Sequence, residues 1–278
     1  MAIAYDFDGT LAPGNMQEHS FLPELGIEAG EFWARVKESA RKNDMDEILS
    51  YMSLMLHEAL NRHVRVSKQA FVSHGKGLPL YPGVAEWFPR INQYARTKGV
   101  RVQHYIISSG LREIIAGTSI AKYFDFVFAS GFLYDQHDVA VWPALAVNYT
   151  TKTQHLFRIN KGIINSYDNT TINKYVPEQD RPLPFRNMIY IGDGETDIPS
   201  MKMVKYQGGY AIAVYDPAKR KQKHKPSAKQ VCLELIDQQR ADYALPADYS
   251  DGADLDRMIK SVIDKLEVES RLQSIGKK

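Results

Sequence analysis

Two aspartates separated by a single residue are the first groups in this chain able to do chemistry. Asp6 and Asp8 stand in the run Asp6-Phe7-Asp8-Gly9-Thr10-Leu11, directly behind the short apolar stretch Ala2-Ile3-Ala4-Tyr5. Along an extended backbone, residues two apart point to the same side, so both carboxylates can face one reacting centre while Gly9 lets the chain turn away. Two carboxylates at one centre can divide labour: one stays ionised as a nucleophile or metal ligand, the other holds a proton for a leaving group. An ordinary turn rich in Asp and Gly is the alternative. A second acidic run, Gly192-Asp193-Gly194-Glu195-Thr196-Asp197, follows another apolar segment, and oxygen ligands of this kind suit Mg²⁺. It is not a dinucleotide fingerprint, because Asp197 occupies the third glycine position and bare carboxylates repel a pyrophosphate. Ser108-Ser109-Gly110 sits between a strand pattern and a helix pattern, where a hydroxyl and free backbone N–H groups can bind an anion or simply cap the helix. Lys161, next to Gly162, is a cation able to neutralise phosphate, or an ordinary surface lysine.

These groups need a scaffold, and the hydropathy pattern describes one. From about Pro13 to Pro82 the pattern is helical, clearest where Met45, Ile48, Leu49, Met52, Leu56, Ala59 and Leu60 recur at helix spacing behind Asp44 and Glu47, a variant capping box. That stripe reads as a bundle core, with a ligand pocket as the alternative. Beyond Tyr81-Pro82-Gly83 the spacing predicts a helix over Val84 to Lys98, a strand over Val102 to Ile107 and a helix from Leu111 to Ala116 or beyond. Further strands are expected at Phe126 to Ala129, Ala144 to Tyr149, Met188 to Ile191 and Tyr210 to Val214, with helices at Lys161 to Tyr167 and Asp254 to Leu272. Strands alternating with helices predict an α/β fold, a mostly parallel sheet covered on both faces, with ligands beyond the carboxyl ends of its strands. Asn165 to Phe185 reads as an irregular excursion, either a lid or a passive loop.

Composition excludes several classes of function. At 278 residues, 44% hydrophobic and 24% charged, the chain can bury a substantial core and has none of the marks of disorder or low complexity. A net charge of +2 supplies no chain-wide field for a polyanion, and the basic run Lys219-Arg220-Lys221 with Lys223 and Lys225 lacks interleaved aromatics, so no nucleic-acid partner is expected. Cys232 is the only cysteine, which rules out an intrachain disulfide or a multi-cysteine zinc site. His57 and His63 do not share the i, i+4 face that a zinc-protease helix requires. Asp6 falls before any signal-peptide apolar region can develop, and no apolar run reaches the roughly 18 residues of a membrane span, so a cytoplasmic protein without membrane contact is expected.

In order along the chain, the motifs resemble those of the haloacid dehalogenase superfamily, in particular its phosphatases of the phosphoserine phosphatase type. Asp6-Phe7-Asp8-Gly9-Thr10-Leu11 looks like the first motif, Ile106-Ile107-Ser108-Ser109-Gly110 the second, Lys161-Gly162 the third and Gly192-Asp193-Gly194-Glu195-Thr196-Asp197 the fourth. The resemblance implies a Rossmann-like core formed by residues 1–12 and 83–278, with a helical cap domain, residues 13–82, inserted after the first strand. It implies a Mg²⁺-dependent phosphatase acting on a small phosphorylated metabolite, with Asp6 as the nucleophile that forms an aspartyl-phosphate and Asp8 as acid and then base. It places Mg²⁺ on Asp6, the Asp8 main-chain carbonyl and Asp193, with Asp197 in support, and phosphate on Ser108, Ser109, Gly110 and Lys161. Lys152 is the upstream competitor for the lysine role. Asp8 argues against the dehalogenase branch, and Ser109 departs from the Ser-Gly-Gly form of phosphoserine phosphatases. Glu18 reads as a surface carboxylate. Phosphotransfer to an acceptor other than water, or non-catalytic binding of a phospholigand, are the rival functions. The substrate and the oligomeric state are not encoded in these motifs.

Overall fold

A computed structural model describes residues 1–219 and 226–275; of the basic run, Arg220, Lys221, Lys223 and Lys225 lie outside the described residues. Strand β1 (Ala2–Tyr5) is buried along its whole length, because β2 (Gln103–Leu111) and β5 (Met188–Gly192) pair with it in parallel on either side. Flanked in this way, it must be apolar on both faces, which is why it reads as an unbroken hydrophobic run. Outward on one side follow β3 (Phe126–Tyr134) and β4 (Ala140–Leu145), and on the other β6 (Tyr210–Tyr215) and β7 (Tyr243–Pro246). The seven-stranded order is β4-β3-β2-β1-β5-β6-β7, parallel except for β4. The chain leaves β1 toward β2 and later returns beside β1 with β5, so the two halves diverge at this central pair. Such a divergence leaves a crevice at the carboxyl ends of the strands.

Helices cover both faces. Ile3 and Tyr5 of β1 point into one apolar cluster with α6 (Val84–Thr97) and α12 (Asp254–Ile275), while Ala2 and Ala4 point into a second with α8 (Thr151–Lys161), α10 (Ile198–Tyr206) and α11 (Ala228–Asp237). This is the period-two alternation of a strand read out as two cores. The short α7 (Arg112–Ala116) follows β2, and α9 (Asn169–Asn173) lies in the irregular stretch after α8. Between β1 and α6 the chain is helical, with α1 (Met16–His19), α2 (Phe21–Leu25), α3 (Ala29–Asn43), α4 (Glu47–Asn61) and α5 (Lys68–His74). The apolar side chains of this segment, among them Phe21, Phe32, Met52 and Met55, belong to the same cluster as Ile3 and Tyr5. Phe71 of α5 stacks on Phe132 of β3 at 5.3 Å, one of the contacts that carry the cluster across.

Several expectations about individual elements are corrected by the structure. The cap of α4 is Asp46, not Asp44: its carboxylate accepts from Ile48 and Leu49 N–H, while Asp44 ends α3 with a positive φ of 51°. The buried face of α4 runs through Tyr51, Met52, Met55, Glu58 and Ala59, and Leu60 is 74% exposed. No helix starts at Lys161. Helix α8 stops there because Gly162 takes the left-handed conformation (φ 70°) and returns its N–H to the last turn. The strand expected at Ala144 to Tyr149 is β4, shifted toward the N-terminus and antiparallel to β3. Asp135 makes that reversal, its carboxylate accepting from the N–H groups of His137 and Val139. Among the described residues, no helix is long and apolar enough to cross a membrane.

His104 and His155 are buried, and desolvation pushes each imidazole down from its ordinary value of 6.5 to about 4. His155 has no hydrogen-bond partner at either ring nitrogen and stacks on Phe128 at 4.6 Å. Between pH 6.5 and 4 the unfolded chain binds protons at these sites that the folded chain refuses, so the contribution of these two histidines to stability declines as pH falls through that window and levels below it. His155→Phe keeps the ring stack. It is expected to be neutral or stabilising by about 1 kcal/mol at pH 7 and to flatten the decline between pH 6.5 and 4, by up to about 3 kcal/mol at its lower end. Urea unfolding of both proteins at several pH values checks this.

Candidate active site

The strand register converges the chemistry. Tyr5 pairs with Ile106 on one side and Ile191 on the other, so the carboxyl ends of β1, β2 and β5 are level. Asp6 follows β1 directly, and its N–H extends the ladder to Ile191 O at 2.9 Å. Ser108 stands two residues past Ile106 and Asp193 two past Ile191. Asp197 returns on the turn before α10. Carboxylate oxygens of Asp6, Asp193 and Asp197 lie within 4.8 Å of one another.

Glycine makes this convergence possible at two positions. Gly9 has φ +73°, and a Cβ there would sit 2.1 Å from Asp193 Oδ2. Only a residue without a side chain lets the first acidic run turn under the second. At Gly192 a Cβ would lie 2.4 Å from Asp197 Oδ2, so the strand end and the returning carboxylate touch backbone to side chain. Asp193 N–H donates to that same oxygen at 3.1 Å.

The cation in this cluster is Lys152. Its Nζ lies 2.8 Å from Asp6 Oδ2 and 2.7 Å from Asp197 Oδ1, and it is fully buried. Burial alone would favour the neutral amine, but the charges and hydrogen bonds of Asp197 and Asp6 outweigh it and hold its pKa above the ordinary lysine value. Lys161, the lysine favoured from sequence, is not here. It lies nine residues further along α8, about 14 Å at a rise of 1.5 Å per residue. Its Nζ donates to Ile172 O at 2.6 Å and Lys174 O at 2.7 Å. The buried Arg158 donates to Asp168 O and Ser166 O, so these two cations pin the irregular 165–174 stretch at the far end of the helix.

The carboxylates are poor in positive charge. Burial, then the neighbouring Asp197 and Asp6, push Asp193 up to about 8, and among the described residues no donor reaches its carboxylate. Burial pushes Asp6 up to about 6, with Asp197 adding to it and Lys152 opposing. Asp8 is held well above the usual carboxylate range by burial and then by the Asp6 charge, and its Oδ1 accepts from Met16 N–H at 2.9 Å. Asp197 is better satisfied: besides Lys152 and Asp193 N–H, the Tyr190 hydroxyl donates to it at 2.6 Å. Four aspartates around one ammonium are a fit for a divalent cation, which Asp6 and Asp193 can hold through oxygens of the hard type that Mg²⁺ takes. On the other side of Asp6, Ser108 is buried, and its Oγ accepts from Gly110 N–H at 3.0 Å. The sequence pattern treats 108–110 as a turn; here it is the end of β2, at a register shift that leaves Ser109 and Gly110 unpaired with β3.

Tyr190 was invisible as a site residue in the sequence, where it reads as filling for an apolar strand. Met16 contributes its backbone N–H to Asp8, and its Sδ accepts from Leu111 N–H at 3.3 Å at the end of β2, neither of which a local sequence pattern announces. Glu18 is more than a surface carboxylate: its Oε1 accepts from the Trp33 indole and the Asn15 amide, both at 2.6 Å.

A sheet that diverges at β1 and β5, with paired aspartates at the tip of the first strand and an acidic turn beside them, defines a doubly wound α/β protein with an acidic site at its topological switch point. The model of the family described as haloacid dehalogenase-like hydrolase matches residues 3–202, and the chain belongs to that family. A relative described as an uncharacterized protein, from Borreliella burgdorferi, is 31% identical over 229 residues, 73% of this chain and 78% of its own. A phosphoserine phosphatase solved as a phospho-aspartyl intermediate analogue superposes with a TM-score of 0.51 at 14% identity, over 94% of this chain and 97% of its own. A HAD-family hydrolase from Salmonella enterica serovar Typhi superposes at 0.50 with 20% identity over 78% of this chain, which spans only 62% of that protein's length. These structures share the fold.

Exchanging each lysine tests the assignment of the buried cation. Lys152→Met leaves Asp6 and Asp197 buried without their partner and is expected to cost about 3–5 kcal/mol in denaturant unfolding. Lys161→Met is expected to cost about 1 kcal/mol and to raise amide hydrogen exchange locally around residues 172–174.

Proposed function

We propose that the chain is a Mg²⁺-dependent phosphatase that hydrolyses a small phosphomonoester through an aspartyl-phosphate on Asp6. The observation that carries this reading is the juxtaposition of Asp6, bonded to Lys152 at 2.8 Å, with a neighbouring Asp8 whose carboxyl is pushed well above its ordinary range. One carboxylate is paired with a cation while burial and then the Asp6 charge bias the other toward its protonated form, a separation that suits nucleophilic and acid–base roles. Asp6 attacks phosphorus, and Asp8 gives its proton to the departing oxygen. Asp8, then ionised, takes a proton from the water that releases phosphate from Asp6. Met16 N–H fixes the Asp8 carboxyl during both transfers.

Ser108, with Ser109 and Gly110, forms the side of the site that bonds the phosphoryl oxygens, and Lys152 takes the charge-balancing role. A divalent cation held by Asp6, the Asp8 main-chain carbonyl and Asp193, with Asp197 behind them, would offset the negative charge shared between phosphate and carboxylates. The phosphoserine phosphatase of matching fold was captured as a phospho-aspartyl intermediate analogue, which supports the covalent step. Residues 13–82 act as the cap domain over the core formed by 1–12 and 83–278, excluding water and meeting the leaving group.

Release of phosphate from p-nitrophenyl phosphate tests the reading. Activity is expected with Mg²⁺ and to disappear with excess EDTA. Asp6→Asn is expected to fall to background and Asp8→Asn by about 10²–10⁴-fold. Full activity in Asp6→Asn would overturn the covalent mechanism.

A further inference from the structure

One cap helix reaches the phosphate side of the site through a specific chain of bonds. Tyr51, on α4, is 2% exposed, and its hydroxyl donates to the Ser109 carbonyl at 2.6 Å. That carbonyl belongs to the same peptide unit as Gly110 N–H, which donates to Ser108 Oγ at 3.0 Å. A peptide unit is rigid and planar, and its C=O and N–H point in opposite directions. Whatever orients the carbonyl therefore orients the N–H. The β2–β3 register pairs neither Ser109 nor Gly110, so the sheet ladder does not set this unit as it sets Ser108.

Two further features hold the phenol to this task. Burial first, then the charges of Asp8 and Glu113, keep it protonated, so it donates. Helix α4 is also tied down at its start: Asp46 Oδ2 accepts from the Asn148 amide at 2.7 Å, and Asn148 Oδ1 in turn accepts from Thr150 and Thr151 N–H where α8 begins. That helix carries Lys152. A single element of the helical segment thus holds both the strand end bearing Ser108 and the start of the helix bearing the buried lysine.

We propose that Tyr51 is a positioning residue that acts through Ser108: its hydroxyl orients the Ser109–Gly110 peptide, whose N–H occupies a lone pair of Ser108 Oγ and leaves the serine proton free for a phosphoryl oxygen. Phosphate binding thereby depends on α4 being seated. This rests on the reading of Ser108 as a phosphate ligand given above. It assigns a function to a cap tyrosine that touches neither substrate nor metal.

The test is a double-mutant cycle on Tyr51→Phe and Ser108→Ala. The readouts are KM and kcat for p-nitrophenyl phosphate and the inhibition constant of inorganic phosphate. Tyr51→Phe keeps the ring that packs edge-on to Trp33 at 5.8 Å and removes only the hydroxyl. It is expected to weaken inhibition by phosphate about tenfold, the effect of one buried hydrogen bond. In the Ser108→Ala background the same change is expected to have little further effect, because the atom through which Tyr51 acts is gone. A Tyr51→Phe protein with a lower melting temperature but unchanged phosphate inhibition would overturn the inference, as would a full, additive loss in the double variant. If Ser108→Ala itself leaves phosphate inhibition intact, the role of Ser108 fails and the inference falls with it. If Ser108→Ala weakens inhibition and Tyr51→Phe does not, the role of Ser108 stands and only the inference is overturned.

Discussion

The buried contact of Lys152 with Asp6 and Asp197 is the interaction on which the rest of the site depends. Carboxylates brought together out of water repel one another and lose hydration, and each penalty can amount to several kcal/mol. An ammonium between two of them, at 2.8 and 2.7 Å, makes the arrangement tolerable without cancelling it. What remains is seen at Asp193 and Asp8, whose carboxyls are pushed above their ordinary range by burial and then by the neighbouring carboxylate charges. A buried ion pair of this kind contributes little to net stability but specifies geometry. It places the ammonium on Asp6 and Asp197 rather than on Asp8 or Asp193, and the residual negative charge makes the cluster receptive to a cation.

The fold provides this contact at little conformational expense. Parallel strands in level register bring three chain segments to one edge, and two glycines let their carboxylates approach backbone atoms closely. The lysine arrives from a different element, the first turn of α8, whose start is capped by Asn148. The helical segment after β1 is not a separate layer. It shares the apolar cluster of the sheet and adds Met16 N–H to Asp8, so its seating and the state of the acidic groups are physically linked.

Much of this was legible in the sequence, for a consistent reason. Asp6, Asp8, Ser108, Asp193 and Asp197 all sit at the ends of short apolar strands, and the pattern of a strand followed by a polar turn is local. The parallel sheet, the helical segment over 13–82 and the irregular stretch after residue 165 were readable on the same basis. Lys152 was not, because adjacency to a glycine favoured Lys161; that glycine turns out to end a helix, and the lysine before it binds two carbonyls of the following loop. Asp44 and Asp46 compete for the same cap with similar chemistry, and the choice between them depends on how α3 ends. The direction of β4 depended on a turn at Asp135 that hydropathy does not describe.

The amino-acid order by itself determined which strands exist, which polar groups stand at their tips and that those groups suit an acidic, metal-tolerant centre, because each of these follows from neighbours a few residues away. Only the tertiary structure decided which lysine is buried among the carboxylates, that the Tyr190 hydroxyl donates to Asp197 and that of Tyr51 to Ser109 O, and that α4 is tied both to the end of β2 and to the start of α8. Lys152 and Asp197 are 45 residues apart in the chain, Tyr51 and Ser109 58, and Asp46 and Asn148 102, yet each pair meets at hydrogen-bond distance. Such meetings are set by helix length, register and packing, quantities that no local pattern contains.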